Sequence, residues 1–326
     1  MERPLDVATV LAPLVRGAGD PTLRLGRGVA VRTSWMASGA STLRVRWGAA
    51  TRLELDAWGP GADEALERAT GLLGLDDDDS GFDPSLHPLV AELARRRGRP
   101  RLGRTGSVIE VLVPAILEQK ITGTEAFRSY RRLVRALGIP APVPDGGEAA
   151  PIGGEAAQGP PAREPLWMPP RAADLAALRP WTFPGLGIEP RRGALLQRVA
   201  RDGDRLERLA AAARLPGGGG AGATELATRL RAYPGIGPWT AAEVTLRALG
   251  DPDAVSLADA HLPSLVAWVL AGEARGTDER MLELLAPWTG HRARVIRLLE
   301  TSGRAAPRFG PRIAPRDLLD LAPRRG

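Results

Sequence analysis

Hydrophobic and polar positions alternate through the first part of the chain. Thr42–Trp47 and Arg52–Trp58 switch between apolar and charged residues with a period of two, the signature of half-buried antiparallel strands. Thr22–Leu25 and Gly28–Arg32 are shorter runs of the same character, separated by Gly26 and Gly28. A short apolar helix is expected over Asp6–Arg16, and Ala62–Leu75 carries Leu66, Ala69, Leu72 and Leu73 on one helical stripe. Residues 1–80 therefore read as a β-rich domain covered by helices.

Beyond residue 80 the period changes to that of helices. The spacing predicts them over Pro88–Arg97, twice within Ser107–Leu137, and over Ala172–Leu178, Ala194–Leu209, Thr224–Arg231 and Trp239–Leu249. Further helices are expected over Leu262–Leu270, Arg280–Leu285 and Val295–Leu299. The class is α+β: a mainly α-helical body with an N-terminal antiparallel sheet. Four stretches break the pattern. Asp76–Asp79 reads as a solvated linker, since like charges repel and four consecutive acids cannot converge on one ion. Residues 139–165, rich in Pro, Gly, Ala and Glu, read as a disordered insertion, and Leu215–Gly220 as a connector. The Pro- and Arg-rich residues 304–326 read as a mobile basic tail. The helical part divides into 108–251 and a second unit made of 84–107 with 252–303.

Composition narrows the chemistry. The net charge of +6 and pI near 10.8 favour a polyanionic partner. Lys120 is the sole lysine, an imbalance that a GC-rich genome explains better than selection for phosphate binding does. With no cysteine, disulfides, thiolate nucleophiles and cysteine-held zinc or iron–sulfur centres are excluded. His87, His261 and His291 are too scattered for a helical metal motif. No apolar run reaches the ~18 residues that span a bilayer. No membrane association is expected, and a soluble, cytoplasmic protein of a reducing compartment is.

The candidate chemistry lies in Leu230–Leu262. Tyr233-Pro-Gly-Ile-Gly-Pro-Trp239 is a tight Gly-rich turn between two helices, with Gly235 and Gly237 permitting close backbone approach. The free N–H groups at the start of the second helix form an anion site suited to a nucleic-acid phosphate. Twenty residues past Trp239 stands Asp259, a lone carboxylate that either does chemistry or caps the following helix.

Turn and spaced aspartate together resemble the helix-hairpin-helix, Gly/Pro-rich, aspartate superfamily of DNA glycosylases, and most the AlkA type of 3-methyladenine DNA glycosylases. The resemblance implies that Asp259 is the catalytic carboxylate. It implies backbone gripping by Gly235, Ile236, Gly237 and Thr240, helped by Arg191, Arg192, His291 and Arg292 at two other helix starts. It places Trp239, Glu243 and His261 at the pocket for an everted base, and Gln119-Lys120-Ile121 at the wedge that fills the duplex gap. Here a lysine, Lys120, stands where the family has an apolar wedge; its cationic stem can still fill the gap and reach a phosphate, the alternative being an ordinary surface lysine. Trp239 stacks on a cationic base or packs in the core. Pocket aromatics of the family fall on Glu243, Ala260 and Arg297. Bifunctional relatives carry a lysine where this chain has Trp239, so water rather than an amine is the expected nucleophile. No cofactor and no iron–sulfur cluster is expected, although a monovalent cation held by the carbonyls of Arg231, Tyr233 and Gly235 fits the family hairpin.

The expected function is a monofunctional, monomeric DNA glycosylase of base-excision repair. It acts on double-stranded DNA, excises alkylated purines such as 3-methyladenine, and hands the abasic site to downstream repair enzymes. The alternatives are a glycosylase for a bulkier or oxidised lesion, and a helix-hairpin-helix DNA-binding protein without chemistry.

Overall fold

In a computed structural model, residues 5–48, 52–143, 165–213 and 219–307 of the chain are described. The chain opens with α1 (Val7–Leu11), whose N-terminus is closed by the Asp6 carboxylate accepting from Thr9 N at 3.0 Å. Then come β1 (Leu23–Gly26), β2 (Val29–Met36), β3 (Gly39–Trp47) and β4 (Leu53–Trp58). They form one antiparallel sheet in the order β1-β2-β3-β4, with Leu43 set between Arg32 and Ala57. That meander is the one the period-two pattern predicts. One face buries Ala30, Leu43 and Val45 against Val7, Leu11 and α2 (Ala62–Leu72). The other face packs Val31 on Ala141, Leu166 and Met168.

That second covering corrects the reading of 139–165. Its first residues are ordered: Ala141 N donates to Leu166 O at 2.9 Å, and Pro142 O accepts from Thr42 at 2.7 Å. The remainder, 144–164, lies outside the described residues, as do 214–218 of the expected connector and 308–326 of the expected tail.

The helical body follows: α3 (Pro88–Arg97), α4 (Val108–Leu117), α5 (Gly123–Leu137), α6 (Ala172–Ala177), α7 (Pro190–Arg201), α8 (Gly203–Ala213), α9 (Gly219–Arg231), α10 (Pro238–Leu249), α11 (Leu262–Ala271), α12 (Asp278–Leu285) and α13 (Arg292–Glu300). The single helix expected over Ala194–Leu209 is two, broken at Asp202, and α9 starts earlier than Thr224 because Gly219 and Gly220 are helical. Helix α4 is apolar all round and central, with every residue but Glu110 buried. Its N-terminus takes Glu207 of α8, whose carboxylate accepts from Val108 N at 3.0 Å and Ile109 N at 2.8 Å. Glu110 accepts from Trp35 N at 2.9 Å and pairs with Arg32, so α4 also anchors the sheet. A capping box of Thr122 and Glu125 starts α5.

Two helical cores result. The larger packs α4 and α5 on α7–α10 through Leu112, Ile116, Leu133, Leu196, Leu230 and Val244. The smaller joins Phe82, Val90 and Leu93 to Val266, Met281, Leu285 and Val295, residues about 200 apart in the chain. No helix among the described residues is long and apolar enough to cross a membrane.

The aspartate run is not a solvated linker. Arg294, fully buried in α13, donates to Asp77 at 2.6 and 2.8 Å, to Pro100 O at 2.9 Å, to Asp78 O at 2.7 Å and to His291 Nδ1 at 3.3 Å. All five guanidinium N–H groups are thereby used. Asp76 pairs with Arg104, and Asp79 with Arg99 at 3.4 Å. Removing one partner of so enclosed a pair strands the other charge. Arg294→Met is expected to destabilise the fold by about 3–5 kcal/mol, seen as a lowered urea midpoint, and Asp77→Asn by less because the carbonyl contacts survive.

Candidate active site

The hairpin is built by α9, the turn Ala232–Gly237 and α10. Gly235 takes φ 107°, a left-handed value that resists a side chain. Ile236 N closes the turn on Tyr233 O at 2.9 Å while its side chain is buried in the larger core. Gly237 precedes α10 with no side-chain cap, Pro238 occupies the first helical position, and nothing lies within 4 Å of where a Gly237 side chain would project. The first-turn amides of α10 are left without a side-chain cap, a place where an anion satisfies them.

The other two helix starts proposed for phosphate differ. At α13, Asp253 accepts from Gly290 N at 2.8 Å and Arg292 N at 3.3 Å, and its carboxylate clasps the Arg292 guanidinium at 2.7 and 2.5 Å. This corrects the view of that end as an open anion site: an internal carboxylate already fills it. His291 is likewise engaged, its Nε2 lying 2.9 Å from Ser80 O. At α7, Arg191 is exposed, whereas Arg192 donates to Gln119 O at 2.5 Å and pairs with Glu189 at 3.4 Å.

Asp259 sits at the start of α11, half-buried. Its Oδ1 accepts from His261 N at 2.7 Å and Leu262 N at 2.8 Å, while Oδ2 accepts from the Trp239 indole at 2.9 Å. One carboxylate thus makes both the cap of α11 and the link to the hairpin, as the capping reading of Asp259 expects. Trp239 packs on the larger core, as its core-packing reading expects. His261 is exposed beside it.

Glu243, one turn beyond Trp239, is not an open acid. It pairs with Arg247 and accepts from Ser256 Oγ at 2.6 Å. Burial works against the Arg247 charge, but Glu243 beside it holds the guanidinium pKa above its ordinary value. Ala260 is exposed, and Arg297 is paired with Glu300 at 2.6 Å. A cavity of about 320 Å³ opens away from Asp259, between α1, the 96–103 loop, α10 and α13. Of its arginines, Arg96, Arg99, Arg247 and Arg297 each have an acidic partner.

The Gln119–Ile121 loop meets the hairpin. Gln119 Nε2 donates to Gly235 O at 3.0 Å and to Thr240 Oγ1 at 2.9 Å. Lys120 follows, exposed and with φ 55°, while Ile121 is half-buried against the larger core. Two of the three carbonyls considered for a cation already accept hydrogen bonds: Gly235 O from Gln119, and Tyr233 O from Ile236. Sequence reasoning missed Asp253, Ser256 and Asp278 around this site. The Asp278 carboxylate accepts from Ala258 N at 2.8 Å.

No protein-family model and no curated protein matches the sequence. Solved structures do match in shape. The 3-methyladenine DNA glycosylase of Archaeoglobus fulgidus superposes with a TM-score of 0.71 at 18% identity, over 92% of this chain and 96% of that one. The fold is that of the helix-hairpin-helix DNA glycosylases. A Clostridium acetobutylicum 8-oxoguanine glycosylase/lyase, solved with double-stranded DNA, matches with a TM-score of 0.63 at 11% identity, over 92% of both chains. A Schizosaccharomyces pombe 3-methyladenine DNA glycosylase bound to abasic DNA matches at 0.50 and 17%, over 69% of this chain and 97% of that one. This glycosylase fold thus has relatives of two substrate types, and identities this low speak for architecture.

Tyr233 gives the hairpin a pH signature. Burial, then the hydrogen bond it donates to Asp202 at 2.6 Å, raises its hydroxyl from 10.0 to about 12. The folded state thus holds this proton more tightly than the unfolded chain. The resulting stability is complete below pH 10 and is lost as pH rises towards about 12. Denaturation midpoints measured across that window are expected to fall less steeply in Tyr233→Phe than in the parent.

Proposed function

We propose that the protein is a monofunctional DNA glycosylase that hydrolyses the N-glycosidic bond of a damaged base everted from double-stranded DNA. The observation that carries this reading is the Trp239 indole held 2.9 Å from Asp259 Oδ2. It joins the open amides of the hairpin to a carboxylate with both oxygens fixed by donors. Strand grip and acid group are then one rigid unit.

On this reading a backbone phosphate binds the amides of Gly235, Gly237, Trp239 and Thr240, with Arg191 beside it. Lys120 enters the gap left by the base, its backbone fixed because Gln119 is tied to the hairpin and to Arg192. Asp259 stabilises the positive charge that grows on the sugar as the bond to the base lengthens, and orients the attacking water. Water attacks the anomeric carbon, the base leaves with the bonding electrons, and an abasic site remains for downstream repair enzymes. No cofactor takes part. The lone lysine lies on the wedge rather than after the hairpin turn, so no amine is placed to form a Schiff base with the sugar.

Among lesions, alkylated purines such as 3-methyladenine are the substrate proposed. A cationic base suits a site where Trp239 offers a π face. An oxidised purine is the second reading, favoured by the fold match to 8-oxoguanine glycosylase/lyase and by the pairing of Glu243 with Arg247.

Asp259→Asn is expected to lower single-turnover base release from a 3-methyladenine or 7-methylguanine duplex by roughly 10²–10⁴-fold while leaving DNA affinity within about threefold. Borohydride should trap no protein–DNA adduct. Release undiminished in the variant, or an adduct lost in Lys120→Ala, would overturn the mechanism; an oxidised-base duplex in the same assay separates the two substrate readings.

A further inference from the structure

Ala258, the residue before Asp259, has φ 63°, a left-handed conformation unfavourable for a side-chain-bearing residue. Its N–H donates at 2.8 Å to Oδ2 of Asp278, the first residue of α12. The other oxygen, Asp278 Oδ1, is buried and has no hydrogen-bond partner. The residue itself is part-exposed, but leaving that one oxygen without a partner is costly, so the arrangement calls for a compensating role.

The loop that delivers Asp278 is pressed against α11. Gly276 N donates to Ser264 Oγ at 3.3 Å, and a side chain at Gly276 would come within 2.2 Å of Pro263 O. Asp278 is therefore referenced to the first turn of the very helix that Asp259 caps. Asp259 is in turn pinned from the far side by Trp239.

We propose that Asp278 is a positioning residue for the reaction: by holding Ala258 in its left-handed turn it aims the Asp259 carboxylate at the hairpin. It touches neither substrate nor the reacting atoms. The proposal rests on the assignment of Asp259 as the catalytic group, but its structural half is independent of activity. Without the Asp278 acceptor, Ala258 relaxes towards an ordinary backbone conformation and Asp259 turns away from Trp239. Asparagine keeps a carbonyl acceptor there; alanine and leucine do not. Glycine at 258 adopts φ 63° at little cost and makes the clamp dispensable.

The test uses the ¹⁵N-labelled full chain, reading the Trp239 indole N–H resonance, assigned among the eight tryptophans by Trp239→Phe. Asp278→Ala, or Asp278→Leu should alanine fail to fold, is expected to move that resonance. It is also expected to lower kcat for base release on the order of tenfold to a hundredfold with KM nearly unchanged. Asp278→Asn should keep most of both, and Ala258→Gly added to Asp278→Ala should restore them. An indole resonance unmoved by Asp278→Ala or Asp278→Leu overturns the proposal, as does a loss that Ala258→Gly fails to repair. If the parent protein releases no base, the catalytic assignment falls, while the resonance still decides whether Asp278 sets the position of Asp259.

Discussion

The ion pair between Arg294 and Asp77 fixes the relation of the chain's distant parts. It joins α13 to the segment after α2 and, through Pro100 O, to the loop after α3. A buried charge needs every donor satisfied, and Arg294 achieves this only when those three segments stand in one arrangement. The next residues transmit that arrangement to the site. Ala293 N donates to Pro252 O at 2.9 Å, and Arg292 clasps Asp253, at the start of the segment that runs to Asp259. The pair is thus better seen as fixing geometry than as a net source of stability, since desolvation offsets much of its attraction.

The electrostatics of the helix ends sharpen the functional reading. A helix start attracts anions whether they come from the protein or from DNA. At α4, α11 and α13 the protein supplies its own carboxylate: Glu207, Asp259 and Asp253. At α10 it supplies none. Many of the arginines behind the +6 charge are in ion pairs, among them Arg44, Arg104, Arg247, Arg280 and Arg292. Net charge therefore says less about where a polyanion docks than do the uncapped helix ends, of which α10 at the hairpin is one and α7 another.

Local rules made much of this visible in the sequence. Alternation located the strands, and the turn chemistry of Pro234–Gly237 located the hairpin, because both depend on neighbouring residues. Asp259 was legible through its spacing from that turn. What stayed hidden depends on distant partners. Asp76–Asp79 looks like a repelling acidic run until Arg294 and Arg104 arrive from elsewhere in the chain. Arg294 did carry a faint signal, since it precedes Val295 and Ile296 and lies close to Leu298 and Leu299, all apolar residues of a buried face. Asp278 carried none: an acid in the first turn of a helix is ordinary. The break at Asp202 was masked by apolar positions that keep helical phase across it.

The two non-glycine residues with left-handed backbone among those described are Lys120 and Ala258. Each adjoins a residue that bonds the hairpin: Gln119 reaches Gly235 and Thr240, and Asp259 reaches Trp239. Each is steadied by a group outside its own segment, Arg192 on Gln119 O and Asp278 on Ala258 N. Such conformations cost about 1–3 kcal/mol apiece and persist only where surrounding contacts over-determine them. Their coincidence on both flanks of one turn is hard to ascribe to packing, because neither Lys120 nor Ala258 buries its side chain. What the strain secures is orientation: the loop tip on one side and the carboxylate on the other are both fixed against the turn whose amides remain open.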